Sequence, residues 1–120
     1  MRLRVAVVHE LSITRNVVAI VSERALGQRV TRVRLEIGRL SAVVPDAVRF
    51  CFDICAQGTP LEGAELEIVE IAGRGLCSAC GEESGLAVPA GRCSACGAAC
   101  LSVIAGEELK IKEMEVQECA

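Results

Sequence analysis

The sequence predicts an α+β fold: a small sheet of about three strands packed by two helices, with a four-cysteine, zinc-ribbon-like domain inserted before the closing strand. Three observations carry this prediction. Two stretches have helical apolar spacing, and three short stretches alternate apolar and charged residues. Between them lies a Gly-, Ala-, Ser- and Cys-rich segment holding two near-identical C-x-x-C units.

The first helix is predicted over residues 11–28. Ile13, Val17, Ile20, Val21 and Ala25 fall near helical spacing and form one apolar face, Ser12 suits the N-cap, and Gly27 is the stop. Residues 31–37 alternate strictly. Val33, Leu35 and Ile37 point one way and Arg32, Arg34 and Glu36 the other, which describes a strand with one buried face that ends or bends at Gly38. Pro45 fits the first position of a second helix, on which Ala47, Phe50, Cys51 and Ile54 share a face; Gly58-Thr59-Pro60 ends it. Ala64, Leu66 and Ile68 alternate with Glu65 and Glu67 in a second strand, with a bulge or strand end at Val69-Glu70 where the pattern slips. Leu109 and Ile111 alternate with Lys110 and Lys112 in a closing strand, whose lysines are expected across from the glutamates of the second strand.

Composition limits what else the chain can be. Of its 120 residues 52% are hydrophobic, enough for a core, but only 2% are aromatic, so that core is aliphatic. The net charge is −3, from 13 basic and 16 acidic residues, which does not suit a polyanion partner. The longest uninterrupted apolar run, from Val17 to Val21, is too short to span a membrane, as is the run from Val5 to Val8 near the start. Residues 1–8 lack the length and cleavage site of a secretory signal, and a cytoplasmic location follows.

Eight cysteines in such a chain require either disulfides or metal. Half of them form Cys77-Ser78-Ala79-Cys80-Gly81 and Cys93-Ser94-Ala95-Cys96-Gly97. Each C-x-x-C turn aims two sulfurs at one centre, and the glycine after it allows a tight backbone turn. Two such knuckles make a tetrahedral four-thiolate cage that suits structural zinc and leaves no position open for substrate. The stretch from Gly73 to Gly106 has few large apolar side chains and needs such a staple to order it. We therefore place a metal-binding domain at residues 73–105, and an α+β domain at residues 1–72 together with 106–120.

Two other roles for the cysteine module are weaker. A nucleic-acid ribbon needs excess positive charge and stacking faces, whereas this segment has Arg74 and Arg92 against Glu82 and Glu83, with no lysine and no aromatic residue. A thiol-disulfide oxidoreductase needs its C-x-x-C at the start of a helix, and these knuckles are read as loop. A protein-interaction role for the ribbon stays open. Cys100 is read as a small buried hydrophobe before an alternative ligand; Cys51, Cys55 and Cys119 receive no functional role, the first two being read as core packing.

The single histidine stands in His9-Glu10-Leu11-Ser12-Ile13, just ahead of the predicted first helix. That run resembles the opening of the HypA/HybF nickel-incorporation proteins, which normally begin Met-His-Glu. The resemblance continues through Leu35-Glu36-Ile37-Gly38, Leu40-Ser41-Ala42 and Phe50-Cys51-Phe52-Asp53 to the paired C-x-x-C ribbon and the closing strand. It implies a metallochaperone, not an enzyme, that carries Ni(II) as cargo to the large subunit of [NiFe]-hydrogenase. It also implies work with the GTPase HypB, structural Zn(II) on the four cysteines, and a monomer or weak homodimer. The family's nickel ligand histidine corresponds to His9 and the glutamate beside it to Glu10. The chemistry agrees, since Ni(II) accepts square-planar nitrogen ligands including imidazole. A histidine in second position also lets the terminal amine, the next backbone amide and the ring close fused chelates. Glu10 can add its backbone or carboxylate, or orient the site from outside it. Some relatives carry an acidic residue at the position of Val44; Asp46, two residues on, is left out of the site.

His9 is not the second residue here, and Val8 stands where the family has its initiating Met. One explanation is a misassigned start, with a GTG codon at position 8 read as Val internally and as Met at initiation. Mass spectrometry of the native protein is expected to find an N-terminus at position 8, as Met; a native peptide covering residues 3–8 would refute it.

Overall fold

The computed structural model describes the backbone of residues 2–117 and the side chains of residues 9–117; Cys119 lies outside them. The elements run α1 (Arg2–Arg24), β1 (Val30–Gly38), α2 (Pro45–Ala56), β2 (Glu65–Ile71), β3 (Gly73–Cys77), β4 (Glu83–Leu86), β5 (Leu101–Ala105) and β6 (Leu109–Val116). They form two three-stranded sheets, β2-β1-β6 and β4-β3-β5. The chain divides into two compact units. One comprises the segment through Leu35, Val43–Ile68 and the segment from Ile111; the other comprises Glu36–Ala42 and Val69–Lys110.

In the first unit α1 starts nine residues earlier than its apolar spacing predicts, at Arg2 instead of Leu11. No glycine or proline interrupts the chain before Gly27, so nothing local stops the helix from extending towards the N-terminus. Ser12 is therefore a helix-interior residue, not an N-cap, and His9 lies within α1, not ahead of it. The helix ends at Arg24, four residues short of the predicted end, in a turn where Leu26 and the expected stop Gly27 both take positive φ, at 51° and 84°. Its buried stripe is rotated from the predicted one. Glu10, Thr14, Val17, Val18, Val21 and Ala25 face inward, whereas Ile20 is exposed. Thr14 can be buried because its Oγ1 donates to the Glu10 carbonyl at 2.7 Å.

The second helix begins at Pro45 as predicted, but its face is also corrected. Val48, Cys51, Phe52 and Ala56 are buried, whereas Phe50 is 66% and Ile54 52% exposed. Ala47, Phe50 and Ile54 do share a face, but it points to solvent. The inward choice is made by α1 packing against α2, which spacing alone does not reveal.

Strand β1 is the middle strand. Val33, Leu35 and Ile37 are buried, and its arginines lie on the other face. The expected lysine–glutamate facing of the outer strands does not form, because β1 lies between β2 and β6. Arginines of β1 take glutamates from both neighbours. Arg32 contacts Glu67 at 2.8 Å and Glu115 at 2.7 Å, and Arg34 contacts Glu67 and Glu113, each at 2.9 Å. The Arg34 hydrogen bond, with charge from both guanidiniums, holds the Glu67 carboxyl below its ordinary range. Strand β2 does not end at Val69-Glu70 but runs to Ile71; both residues of the slip are exposed, and Val69 is where the chain enters the second unit.

The second unit is ordered differently. The stretch read as loop forms β3, β4 and β5, with β3 central and antiparallel to both neighbours. Residues 36–42 join this unit through backbone bonds, Gly38 N–H to Glu108, Arg39 N–H to Ile71 and Leu40 N–H to Gly106. A Cβ on Gly38 would collide with the Gly106 carbonyl, and one on Gly106 would lie 2.6 Å from the Gly73 Cα, so this crossing requires glycine.

The aliphatic core gives a direct test. Leu35 is 1% exposed and Leu26 88%. Leu35→Ala is expected to destabilise the protein by about 2–5 kcal/mol and Leu26→Ala by no more than about 0.5 kcal/mol, read as shifts in urea midpoint.

Candidate metal centre

Strand β3 delivers the first ligand. Cys77 is its last residue, paired across the sheet with Leu101 of β5, and the chain then turns through the first knuckle into β4. The two knuckles repeat one hydrogen-bond pattern. Gly81 N–H donates to the Cys77 carbonyl at 2.8 Å and Cys77 N–H to the Glu82 carbonyl at 2.9 Å. Gly97 N–H donates to Cys93, and Cys93 N–H to Ala98, each at 2.9 Å. Gly81 and Gly97 both take left-handed φ, at 79° and 75°. The same dipeptide ending thus folds the same way twice, each time turning two sulfurs inward.

The result is one cluster. The Sγ atoms of Cys77, Cys80, Cys93 and Cys96 all lie within 4.8 Å of one another. Cys77 and Cys96 are 3.7 Å apart, and Cys80 and Cys93 3.6 Å. A tetrahedral ion with metal–sulfur bonds of about 2.3 Å needs sulfurs separated by roughly 3.8 Å, so the cluster already has the dimensions of a four-thiolate site. Electrostatics also call for a cation. Backbone N–H groups of Cys96 and Ala95 draw the Cys93 thiol down to about 6. At Cys80 the Glu82 N–H favours the thiolate, but the Cys93 sulfur, desolvation and the sulfurs of Cys77 and Cys96 together prevail and push it up to about 12. Four adjacent sulfurs cannot all ionise unless positive charge is placed among them.

Burial shows why the unit needs that charge. From Gly73 to Gly106 the only buried side chains are those of Cys77 and Cys93. Leu76, Val88 and Ile104 are exposed. The sulfur cluster is the core of this segment, as the composition implied.

Cys100 stays out of the cluster and is exposed, so its reading as a buried small hydrophobe is corrected; its carbonyl anchors the first knuckle by accepting Ser78 N–H at 3.0 Å. Cys51 is buried in α2 with its thiol pushed up by desolvation, then by Cys55 and Glu10. His9 and Glu10, adjacent in sequence, diverge: His9 is exposed and Glu10 is 1% exposed. One oxygen of Glu10 accepts Val44 N–H at 2.7 Å. Its residue type did not mark Glu10 as a core residue. Its place four residues before Thr14 and seven before Val17 was the available signal.

Comparison with known proteins decides the family. Residues 8–116 match the family model described as "Hydrogenase/urease nickel incorporation, metallochaperone, hypA". The chain belongs to the HypA family. Among relatives named hydrogenase maturation factor HypA, that of Rippkaea orientalis is 61% identical over 110 residues, covering 92% of this chain and 96% of its own. The Nostoc punctiforme protein is 62% identical over the same shares. The HypA fold is shared with two solution structures. One is titled HypA protein, with a TM-score of 0.69, 23% identity and coverage of 92% of this chain and 97% of its own. The other is the Ni metallochaperone HypA from Helicobacter pylori, with 0.64, 22%, 89% and 96%. The alternatives weighed for the cysteine module fall away beside this membership. Neither knuckle opens a helix, Arg74 is paired with Glu83 at 3.0 Å, and Arg92 donates to the Gly97 carbonyl at 3.1 Å.

Thiolates hold a metal only while deprotonated. A thiol depressed below its ordinary value favours the metal-ready form above that value, and the benefit is lost as pH falls through its own. The cage is expected to hold its ion at neutral pH and to release it on acidification, as protons compete with the ion for the four thiolates. A chromophoric chelator monitoring free metal against pH would read the release; retention to pH 4 would contradict it.

Proposed function

We propose that this chain carries Ni(II) and delivers it to the large subunit of [NiFe]-hydrogenase during maturation, in concert with the GTPase HypB. It acts as a carrier in the cytoplasm, as a monomer or weak homodimer, and catalyses no reaction itself. The observation that carries this reading is the span of the family match. It begins at Val8 and takes in the chain's only imidazole as well as the complete four-sulfur cluster. The names of the relatives, hydrogenase maturation factor and Ni metallochaperone, support nickel as the cargo and hydrogenase maturation as the setting. In agreement with a soluble carrier, no helix among the described residues is long and apolar enough to cross a membrane.

Two metal sites divide the work. Zinc is proposed for Cys77, Cys80, Cys93 and Cys96, since an all-thiolate tetrahedral set suits it and it brings no redox chemistry. That ion staples residues 73–105, proposed as the metal domain; residues 1–72 and 106–120 are proposed as the other domain. Nickel is proposed at His9 with Glu10. An exposed imidazole suits a cargo ion that must be received and handed on, whereas a closed sulfur cage suits one that stays. The two metals are thus separated by ligand hardness and by access.

Titration of Ni(II) into zinc-loaded protein, followed by d–d absorption, tests the assignment. One tight equivalent is expected, lost in His9→Ala, with the zinc content by elemental analysis unchanged. A His9→Ala protein that binds nickel as tightly as wild type would remove the basis for the site.

A further inference from the structure

Glu10 is the one charged side chain among the described residues that is fully buried, and its role is visible in what it touches. Its Oε2 accepts the N–H of Val44 at 2.7 Å, and its Oε1 has no hydrogen-bond partner among the described residues. Val44 is the N-cap residue of α2, with extended backbone and no side-chain cap of its own. Pro45 follows at the first helical position, and Ala47 stands at the third. In a capping box the third helical residue is Glu or Gln, and its side chain reaches back to the N–H of the N-cap residue. Valine and alanine cannot do this. Glu10 makes the same contact from another helix, and its negative charge meets the positive end of the α2 dipole. The hydrogen bond to Val44 places this carboxylate on the α2 side of α1, and its charge is one of the causes, after burial and Cys55, that push the thiol of Cys51 on α2 up.

The position of the neighbouring imidazole follows. Successive side chains on an α-helix point about 100° apart. With Glu10 drawn inward to α2, the exposed His9 is turned away from it. A carboxylate engaged at the start of α2 is not available to an ion held on the outward side. We infer that Glu10 is a positioning residue. Its carboxylate caps α2 in trans and fixes the rotation of α1 so that His9 faces solvent, and its side-chain oxygens are not nickel ligands. This rests on the proposal that nickel binds at His9, and it removes the carboxylate from the ligand choices open for Glu10.

Three variants of the full zinc-loaded chain test it: Glu10→Gln, Glu10→Ala and His9→Ala. They are read by amide hydrogen exchange at Val44 and by Ni(II) titration with d–d spectra. The amide oxygen of Glu10→Gln can accept the same N–H. This variant is expected to keep Val44 protection, nickel affinity to within about threefold, and the wild-type band position. Glu10→Ala is expected to lose Val44 protection by about fivefold or more, the scale of a lost cap. It should weaken nickel binding roughly tenfold, as removal of an orienting partner does, with the band unmoved because the ligands are the same. A Glu10→Gln protein with a displaced band and tenfold weaker nickel binding, but intact Val44 protection, would make the carboxylate a ligand and overturn the inference. So would a Glu10→Ala protein whose Val44 amide stays protected. Nickel binding that survives His9→Ala overturns the delivery reading, and the positioning role with it, even where Val44 protection still depends on Glu10.

Discussion

Four sulfurs gathered within 4.8 Å of one another are the constraint on which the second unit depends. They cannot all be thiolates without a cation, and the segment that presents them has no hydrocarbon core to fold around instead. Every other feature of that unit serves the gathering. Strand β3 ends on Cys77, and β4 and β5 pair on either side of β3. Two left-handed glycines close identical turns. Metal binding and folding are therefore one event there, and this favours an ion that does not leave.

The first unit solves the opposite problem. It is held by an aliphatic core drawn from α1, β1 and α2, with an arginine–glutamate ladder on the far side of β1. Because these side chains are partly exposed, the ladder contributes more to strand register than to stability. Such a core can be stable without metal. That leaves its surface free for the proposed histidine ligand, whose ligation would not have to hold the fold together. With the proposed structural and cargo ions on separate ligand sets, handing on the one would not unfold the other.

One buried carboxylate joins the two helices of that unit. The α2 N-terminus lacks its own capping chemistry, and the turn of α1 bearing His9 supplies it. A core position held by Glu instead of Leu is costly unless the charge is satisfied. The backbone N–H of Val44 and the helix dipole meet part of that cost.

The sequence alone determined the parts governed by local spacing. Alternation along residues 31–37 marked β1, and Pro45 marked the start of α2. The doubled C-x-x-C-Gly marked all four cluster cysteines, because sulfur convergence is built into each turn. Tertiary structure decided the rest. Which side of α1 faced inward depended on α2, so Ile20 went out while Glu10 and Thr14 went in. The order β2-β1-β6, which replaced a lysine–glutamate facing by an arginine ladder, depended on strands far apart in the chain. Strands β3 and β4 escaped notice because short glycine-bearing segments carry little periodic signal, and β5, five residues long, because its place is set by pairing with β3. Periodicity reports which residues share a face; only packing against another element says which face is buried.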